Sequence, residues 1–205
     1  MIESGRAPDA AEWDERYTEA ERVWSGDPNG ALLAEAAHLA PGRALDVGCG
    51  EGADAVWLAR RGWQVTGLDV SGVALARAAR HAVDAELHVT WVHAGLVEAE
   101  LPAGRFDLVS AQYPALRKTP QATAERALID LVAPGGTLLV VHHDIDSEHV
   151  RDSGFDPADY VLPPDVAALL DESWQVEVDE LRPRTVNGGA GARHTHDQVL
   201  RARRR

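Results

Sequence analysis

The segment from Asp46 to Gly52, Asp-Val-Gly-Cys-Gly-Glu-Gly, holds the residue types best suited to bind a ligand. It stands where a short apolar run, residues 43–47, gives way to a run with helical spacing. Glycines at such a junction let the backbone turn sharply and let a ligand approach closely. The first N–H groups of a following helix then face that ligand. The segment is therefore the first candidate for a binding loop.

Two other interpretations of this loop are open. It can be purely structural, or it can bind NAD, because Gly48, Gly50 and Ala53 satisfy the dinucleotide pattern G-x-G-x-x-G/A. Three features disfavour NAD. Asp46 lies two residues before the first glycine, where a carboxylate suits an ammonium or hydroxyl group better than a pyrophosphate. The chain also lacks room for a second, substrate-binding domain, and residues 1–40 form a helical lead-in.

The elements that must position this loop alternate between strand and helix. Strands are predicted at residues 43–47, 64–69, 86–93, 106–113, 137–142, 174–181 and 196–202. Helices are predicted at residues 10–24, 31–40, 52–61, 71–81 and 119–132, with a short one starting at Pro163. This alternation is typical of a parallel sheet covered on both faces, with one antiparallel addition at its end.

The composition excludes several classes of protein. The 205 residues are enough for one domain with a short lid, and the single cysteine, Cys49, excludes an internal disulfide or a cysteine-based zinc site. Neither a long apolar run nor an N-terminal signal sequence is present, so a cytoplasmic protein is expected. The net charge of −13 repels nucleic acid and anionic membranes, so neither is an expected partner.

Three motifs in combination resemble the class I S-adenosylmethionine-dependent methyltransferases, and they are similar to the small thiopurine- and tellurite-resistance-like group. They are the loop at 46–52, Gly-Leu-Asp-Val-Ser at 67–71, and Leu-Val-Ala-Pro-Gly-Gly-Thr-Leu-Leu at 131–139. The resemblance implies a single doubly wound α/β fold. Its mostly parallel seven-stranded sheet would have the order 3-2-1-4-5-7-6, with strand 7 antiparallel. An N-terminal helical lid at 1–40 would precede a domain at 41–205 that binds S-adenosylmethionine.

The resemblance also implies which residues bind the cofactor. The methionine part would be held by the loop residues Asp46, Gly48, Cys49, Gly50 and Gly52. Asp69 would accept both ribose hydroxyls, which suits the two acceptor oxygens of a carboxylate. Val70 would pack on the adenine face, and Gly95 and Leu96 would meet the adenine edge. Many relatives carry Asp where this chain has Gly95, so backbone groups would have to replace that side chain.

Two histidine groups are candidates for the chemistry. His142-His143-Asp144 follows the fifth strand, and His194-Thr195-His196-Asp197 opens the last one. In the implied sheet order both groups lie at the carboxyl edge, where ligands of open α/β folds bind. They can be loop residues bonded to backbone, a divalent metal site, or groups that orient or deprotonate the acceptor. His143 and His196 are the preferred catalytic residues, and no metal is assigned.

Two further sets of residues are assigned to the acceptor side. Gln112 and Tyr113 end the fourth strand, where amino-methylating relatives carry an Asn/Asp-Pro-Pro-Tyr/Phe motif that is absent here. Methylation of base or glutamine nitrogens is therefore disfavoured. Trp13, Tyr17 and Trp24 share one face of the first helix, and the resemblance implies a lid over cofactor and acceptor. Plain packing of that helix on the sheet edge is the alternative.

The expected function is methyl transfer from S-adenosylmethionine to a small-molecule acceptor by in-line displacement. A thiolate, selenolate or oxyanion needs no base, whereas a hydroxyl acceptor would need His143 or His196. The similar group suggests sulfur, selenium or tellurium, and a hydroxyl of a secondary metabolite or quinone is the competing acceptor. A non-catalytic cofactor-binding protein and an NAD-binding protein are the alternative functions. The protein is expected to be a monomer or a homodimer.

Overall fold

The computed structural model describes residues 10–144, 157–184 and 194–205. Within these ranges the strands are β1 (Arg43–Val47), β2 (Gln64–Asp69), β3 (Thr90–His93), β4 (Phe106–Gln112), β5 (Val132–His143), β6 (Trp174–Pro183) and β7 (His196–Arg204). The α-helices are α1 (Ala10–Glu19), α2 (Gly30–Ala36), α3 (Ala53–Arg60), α4 (Gly72–Asp84), α5 (Thr123–Leu131) and α6 (Pro163–Ala167).

The strands form one seven-stranded sheet in the order β3-β2-β1-β4-β5-β7-β6. Strands β1 to β5 pair in parallel, whereas β7 is antiparallel to both β5 and β6. The predicted doubly wound α/β fold is confirmed. Because β1, β2, β4 and β5 point the same way and β7 runs against them, the end of β5 and the start of β7 meet at one edge.

Alternating side chains of the strands pack two cores, one on each face of the sheet. Leu138 of β5 packs with Leu128 of α5 on one face, and Leu139 packs with Leu32 of α2 and Leu58 of α3 on the other. All five side chains are fully buried, and each such burial stabilises the fold by roughly 1.5–3 kcal/mol. The two cores fix the sheet between its helices and so fix the carboxyl edge.

Helix α1 ends earlier than the helix predicted at residues 10–24. Nη2 of Arg77, from α4, donates to the carbonyl oxygens of Tyr17 and Ala20 at 2.5 and 2.8 Å. These carbonyls lie at the end of α1, where a helix leaves its last acceptors unpaired. A cation on another element therefore terminates α1 at Glu19, which the local sequence does not encode.

Helix α2 ends at Ala36 rather than at residue 40, and β5 starts at Val132 rather than at residue 137. Two other boundaries differ for local reasons. Strand β3 starts at Thr90 rather than at residue 86, because Glu86 has a φ of 57°, outside the strand region. Helix α5 starts at Thr123 rather than at residue 119, because Oγ1 of Thr119 accepts from the amide of Thr123 in a turn. The glycine-rich connection predicted at 187–191 lies outside the described residues. Among the helices that are described, none is long and apolar enough to cross a membrane.

Candidate active site

The glycine loop between β1 and α3 turns back over the end of β2. Gly48, Gly50 and Gly52 have φ values of 69, 52 and 83°, a left-handed region that glycine adopts without strain. The amides of Gly48 and Cys49 both donate to the carbonyl oxygen of Leu68, at 2.8 and 3.0 Å. The loop is therefore held against the carboxyl end of β2.

The three glycines have different surroundings. A Cβ on Gly52 would lie 2.7 Å from a side-chain carbon of α4, so close helix packing requires glycine there. A Cβ on Gly48 would meet nothing nearer than Pro114, at 3.9 Å. A Cβ on Gly50 would lie 2.9 Å from the hydroxyl oxygen of Tyr17. Gly48 is exposed and not crowded by its neighbours, and an aromatic side chain lies at Gly50, so this part of the loop is the candidate binding surface.

Three buried carboxylates surround the loop. Asp46 is 2% exposed, and its Oδ2 has no hydrogen-bond partner among the described residues. Asp54, in the first turn of α3, accepts from the backbone N and the Nδ2 of Asn29 at 2.7 and 2.8 Å. Burial raises the pKa of Asp46 well above its ordinary value, and the charges of Asp54 and Asp69 raise it further.

The three carboxyl groups favour positively charged ligands. Burial also raises the pKa of Asp54 and of Asp69, so negative charge on any of the three is unfavourable while no cation is beside them. An ammonium or sulfonium group would be stabilised beside them, whereas the pyrophosphate of a dinucleotide would be repelled. The electrostatics of the loop therefore disfavour the NAD interpretation.

Asp69 is held in one orientation at the end of β2. Its Oδ2 accepts from the amide of Gly50 and its Oδ1 from the amide of Ser71, both at 2.8 Å. Burial raises its pKa despite these bonds. Each carboxylate oxygen has a second lone pair, so the group can still accept two hydroxyls.

The other residues assigned to the cofactor lie at the ends of β2 and β3. Val70 is half-buried, and the amide of Ala94 donates to the carbonyl oxygen of Asp69 at 3.1 Å, which joins the two strand ends. Leu96 is buried in the core and Gly95 is half-buried beside it. Cys49 is buried, and burial raises the pKa of its thiol, so it is a packing residue of the loop and not a thiolate.

The aromatic side chains of the N-terminal segment lie on the glycine loop. Tyr17 is 2% exposed, and its hydroxyl oxygen accepts from Nε1 of Trp24 at 2.7 Å. The Trp13 ring lies 6.0 Å from the Tyr17 ring. Burial raises the pKa of Tyr17, and the nearby Asp69 adds to the effect, so the phenol stays protonated. All three aromatic residues predicted on the lid therefore come together, with Tyr17 over Gly50.

Polar contacts that the sequence analysis missed anchor this segment. Oδ1 of Asp14 accepts from Oγ of Ser71 at 2.6 Å and from the amide of Val73 at 3.1 Å, at the start of α4. Glu51, inside the glycine loop, accepts from Nη1 of Arg77 at 2.9 Å. Its other oxygen accepts from the amides of residues 23 and 24 at 3.2 Å. The loop that would bind the cofactor thus also binds the lid.

A stack of rings occupies the carboxyl edge at β4, β5 and β7. The His143 ring lies 4.2 Å from the Tyr113 ring and 3.9 Å from the His194 ring. Tyr113 has a φ of 53°, which is strained for a tyrosine and turns its ring toward β5. Its hydroxyl donates to Oδ2 of Asp197 at 2.8 Å. The guanidinium carbon of Arg184 lies 4.7 Å from the centre of the Tyr113 ring.

Two polar groups lie close to Nδ1 of His143. Nη1 of Arg184 lies 3.0 Å from Nδ1 of His143, and Oδ1 of Asp197 lies 3.4 Å from the same atom. Arginine is a donor only, so the shorter contact occupies the lone pair on Nδ1.

The other histidines are placed apart from this stack. Side chains alternate along a strand, so His196 faces away from Asp197 and His143, and its Nδ1 lies 3.0 Å from Oγ1 of Thr195. His142 is buried, and burial lowers its pKa to about 4, so it is neutral at pH 7. The structure therefore does not bring His143 and His196 together.

Gln112 lies between the stack and the carboxylates. It is buried, its Nε2 donates to Oγ of Ser110 at 3.0 Å, and its Oε1 has no partner within the described ranges. Ser110 pairs in register with Asp46 of β1. Within the residues that are described, no group of histidine, cysteine and acidic side chains is arranged to hold a metal ion.

Comparison with known proteins supports one class. Residues 44–136 match the family model of a methyltransferase domain. An uncharacterised methyltransferase of Mycobacterium tuberculosis is 40% identical over 54% of this chain and 55% of that protein. A ubiquinone biosynthesis O-methyltransferase of Alkalilimnicola ehrlichii is 40% identical over 47% of this chain and 40% of that protein. The chain spans about half the length of the curated relatives it matches.

Solved structures share the whole fold. A structure from work on the conversion of a disulfide bond into a thioacetal group in echinomycin biosynthesis has a TM-score of 0.75 at 23% identity, covering 95% of this chain and 91% of that one. An S-adenosylmethionine-dependent methyltransferase of Mesorhizobium loti has a TM-score of 0.61 at 21% identity, covering 85% and 98%. The sequence matches are thus to methyltransferases, and the solved structures share the fold of this chain.

Proposed function

We propose that the protein transfers the methyl group of S-adenosylmethionine to a small-molecule acceptor. The observation that carries this proposal is the buried carboxylate of Asp46, whose Oδ2 lacks a donor within the described residues, two residues before the exposed Gly48. The cofactor carries an ammonium and a sulfonium group, which are cations of the kind this anionic pocket would stabilise. The residues present therefore fit the cofactor.

When bound, the cofactor supplies an activated methyl group, so the protein has to bind, align and exclude water. The proposed contacts to the methionine part are Asp46, Gly48, Cys49, Gly50 and Gly52. Asp69 is positioned for the ribose by its two backbone bonds. Val70, Gly95 and Leu96 would border the adenine.

The N-terminal segment would act as the lid. Residues 1–40 would form this unit, and residues 41–205 the cofactor-binding domain. The Tyr17 hydroxyl accepts from Trp24 and keeps its own hydrogen for a ligand oxygen, for which the carboxylate of the cofactor is the nearest chemical match. Trp13 would complete an aromatic wall that excludes water from the acceptor.

The ring stack favours an acceptor that arrives ionised. Because Nη1 of Arg184 lies 3.0 Å from Nδ1 of His143, this nitrogen is already engaged and is not a free base. With Gln112 and Tyr113, His143 would orient the acceptor. A thiolate, selenolate or oxyanion needs no deprotonation, so these acceptors suit the arrangement best.

A hydroxyl acceptor is the second candidate, because the sequence is similar to ubiquinone biosynthesis O-methyltransferases. That chemistry would require a base, and His196, on the other face of β7, is the residue assigned to it. Acceptors of known pKa separate the two candidates. Thiols should be methylated at a rate that follows their own ionisation, whereas phenols should show a histidine-like pKa.

The first test is isothermal titration of the purified protein with S-adenosylhomocysteine, with NAD as the control. Micromolar binding of S-adenosylhomocysteine alone is expected, and it should be followed by a screen of thiols, selenite, tellurite and phenols. Binding of NAD, or of neither ligand, would contradict the proposal. Binding without turnover on any acceptor would favour a non-catalytic cofactor-binding protein.

A further inference from the structure

A cleft opens at the amino edge of the sheet, opposite to the carboxyl edge, where β5 and β6 begin and β7 ends. Its volume is about 250 Å³, and its lining residues are Gly135, Gln175, Arg203, Arg204 and Arg205. Pockets for drug-sized ligands measure about 300–1,000 Å³, so this cleft suits a smaller molecule. Three of its five lining residues are arginines, although the whole chain has a net charge of −13. The cleft is therefore a local concentration of positive charge on an acidic protein.

Backbone carbonyl groups orient two of these arginines. Nη1 of Arg204 donates to the carbonyl oxygen of Val132 at 2.7 Å, and Nη1 of Arg205 donates to that of Glu172 at 2.9 Å. A guanidinium has five N–H donors, so each of these two arginines keeps donors for a ligand. Because a carbonyl group has no net charge, the two bonds fix the arginines without neutralising them.

The third arginine, Arg203, has its guanidinium in solvent. It is exposed, and this guanidinium makes no hydrogen bond or ion pair with any described residue. Side chains alternate along a strand, so Arg203 and Arg204 reach the cleft from opposite faces of the sheet. Gln175 of β6 pairs in register with Arg203 of β7, which places its amide beside that side chain. Donors from both faces of the sheet thus line the cleft.

The carboxylates near the cleft leave these donors unoccupied. None of the three arginines has a carboxylate oxygen within 4 Å in the part of the chain that the structure describes, whereas Arg201 of the same strand is paired with Glu35 at 2.7 Å. Hydrogen bonds from Ser173 lower the pKa of Asp171, and the charge of Arg204 lowers it further. Asp171 therefore offsets part of the positive charge but takes none of the guanidinium donors.

We propose that this arginine cleft binds the terminal phosphate of a small phosphorylated molecule. A phosphate monoester carries about 1.5 to 2 negative charges at pH 7 and presents three strong acceptor oxygens, which match three guanidinium groups with donors to spare. A carboxylate carries one charge. Each phosphate of a dinucleotide is a diester that also carries one charge, so both of these groups should bind more weakly than a monoester.

The proposed phosphate site is separate from the cofactor and the acceptor. Residues 137–143 of β5 run from the amino edge to the carboxyl edge, a span of about 20 Å. A small molecule in the cleft would therefore contact neither the glycine loop nor the ring stack. The inference consequently does not depend on methyl transfer.

Titration calorimetry of the full chain with ribose 5-phosphate, at pH 8 and low salt, tests the inference. One equivalent is expected to bind, whereas ribose and NAD, which carry no phosphate monoester, should not. Inorganic phosphate distinguishes the two sources of the group. If it binds as tightly as ribose 5-phosphate, the cleft recognises phosphate alone, and if it binds more weakly, the cleft also recognises the attached molecule.

Two variants with the same change of charge locate the binding. Arg203→Gln breaks no side-chain contact with the described residues, so it should fold normally and should weaken ribose 5-phosphate binding about tenfold. Arg80→Gln is the matched control, because Arg80 is exposed on α4, and it should bind as the wild type does. Saturating S-adenosylhomocysteine should leave the affinity unchanged. Thermal melts without ligand check that both variants fold.

Three results would overturn the inference and leave the proposed methyl transfer untouched. The first is that neither ribose 5-phosphate nor inorganic phosphate binds the wild type. The second is that Arg203→Gln binds as the wild type does, or that both variants lose affinity equally, which would reflect net charge alone. The third is competition between ribose 5-phosphate and S-adenosylhomocysteine, which would place the phosphate at the carboxyl edge.

Discussion

Replacing Asp46 by asparagine should make the ligand-free protein more stable and the cofactor complex weaker. The Asp46 carboxylate is buried, has an oxygen without a partner in the described chain, and lies near Asp54 and Asp69. Ionised Asp46 is therefore unfavourable until a cation arrives. Asparagine has nearly the same shape and no charge, so it relieves the repulsion and removes the attraction for an ammonium group.

The sign of the expected stability change follows from the raised pKa of Asp46. Its ordinary value is 3.8, so the folded protein keeps the proton to higher pH than the unfolded chain does. The free energy of unfolding then falls as pH rises from about 3.8 toward the raised pKa, and stays level above it. Each unit of elevation corresponds to about 1.4 kcal/mol, and each kcal/mol raises the melting temperature by about 2–4 °C at this chain length. The variant should recover this loss at pH 7.

The loss of affinity for S-adenosylhomocysteine in Asp46→Asn is estimated separately. A hydrogen bond to a charged group contributes about 1.5–3 kcal/mol, so S-adenosylhomocysteine should bind about 10- to 150-fold more weakly to Asp46→Asn.

Asp84→Asn is the matched control, because Asp84 is exposed at the end of α4. It should change neither the melting temperature nor the affinity. The reasoning about the pocket is refuted if Asp46→Asn melts at a lower temperature than the wild type while its affinity for S-adenosylhomocysteine is unchanged. That pair of results would mean that the carboxylate holds the fold and not the ligand.

Four further outcomes are expected. Asp69→Ala should weaken cofactor binding by about 1–3 kcal/mol in calorimetry, and normal binding would contradict the ribose assignment. Arg77→Ala should release the N-terminal segment, seen as faster proteolysis before residue 30 and a red shift of tryptophan emission; unchanged digestion would exclude it as an anchor. Tyr17→Phe should keep the fold in thermal melts but lower cofactor affinity severalfold, and equal affinity would place its hydroxyl outside the site. His143→Gln should keep cofactor affinity and the pH profile of turnover with a thiol acceptor. A histidine-like pKa that disappears in this variant would identify His143 as a base.

The strand order and the place of the glycine loop were predictable because local signals repeat along this chain. A buried apolar run followed by glycines marks β1, and Gly67-Leu68-Asp69 and Pro134-Gly135-Gly136 mark two more strands. Periodicity of two or 3.6 residues distinguishes strand from helix wherever one face is buried. The ends of α1, β3 and α5 were predicted less well, since each is set by a hydrogen bond or a backbone torsion that leaves no periodic trace.

The anchors of the N-terminal segment show where the sequence signal stops. Asp14 and Ser71 are 57 residues apart, and Arg77 reaches back to the carbonyl of Tyr17 across 60 residues. In the sequence, the residues of these contacts cannot be distinguished by type or spacing from exposed polar and charged residues. Only Glu51 carried a signal in the sequence, because an acidic residue between two loop glycines requires a polar partner.

The two histidine groups were predicted at one edge of the sheet, but the contacts of His143 were not, and the reason lies in how the edge is built. Tyr113 follows β4, His143 ends β5, Arg184 follows β6 and Asp197 opens β7, so four separate chain segments supply one group of contacts. Topology alone brings these segments together, but the alternation of side chains decides which residue of each pair faces inward. That alternation selects Asp197 over His196. Because Arg184 then contacts Nδ1 of His143, the surroundings of this histidine depend on an arginine that no motif contains.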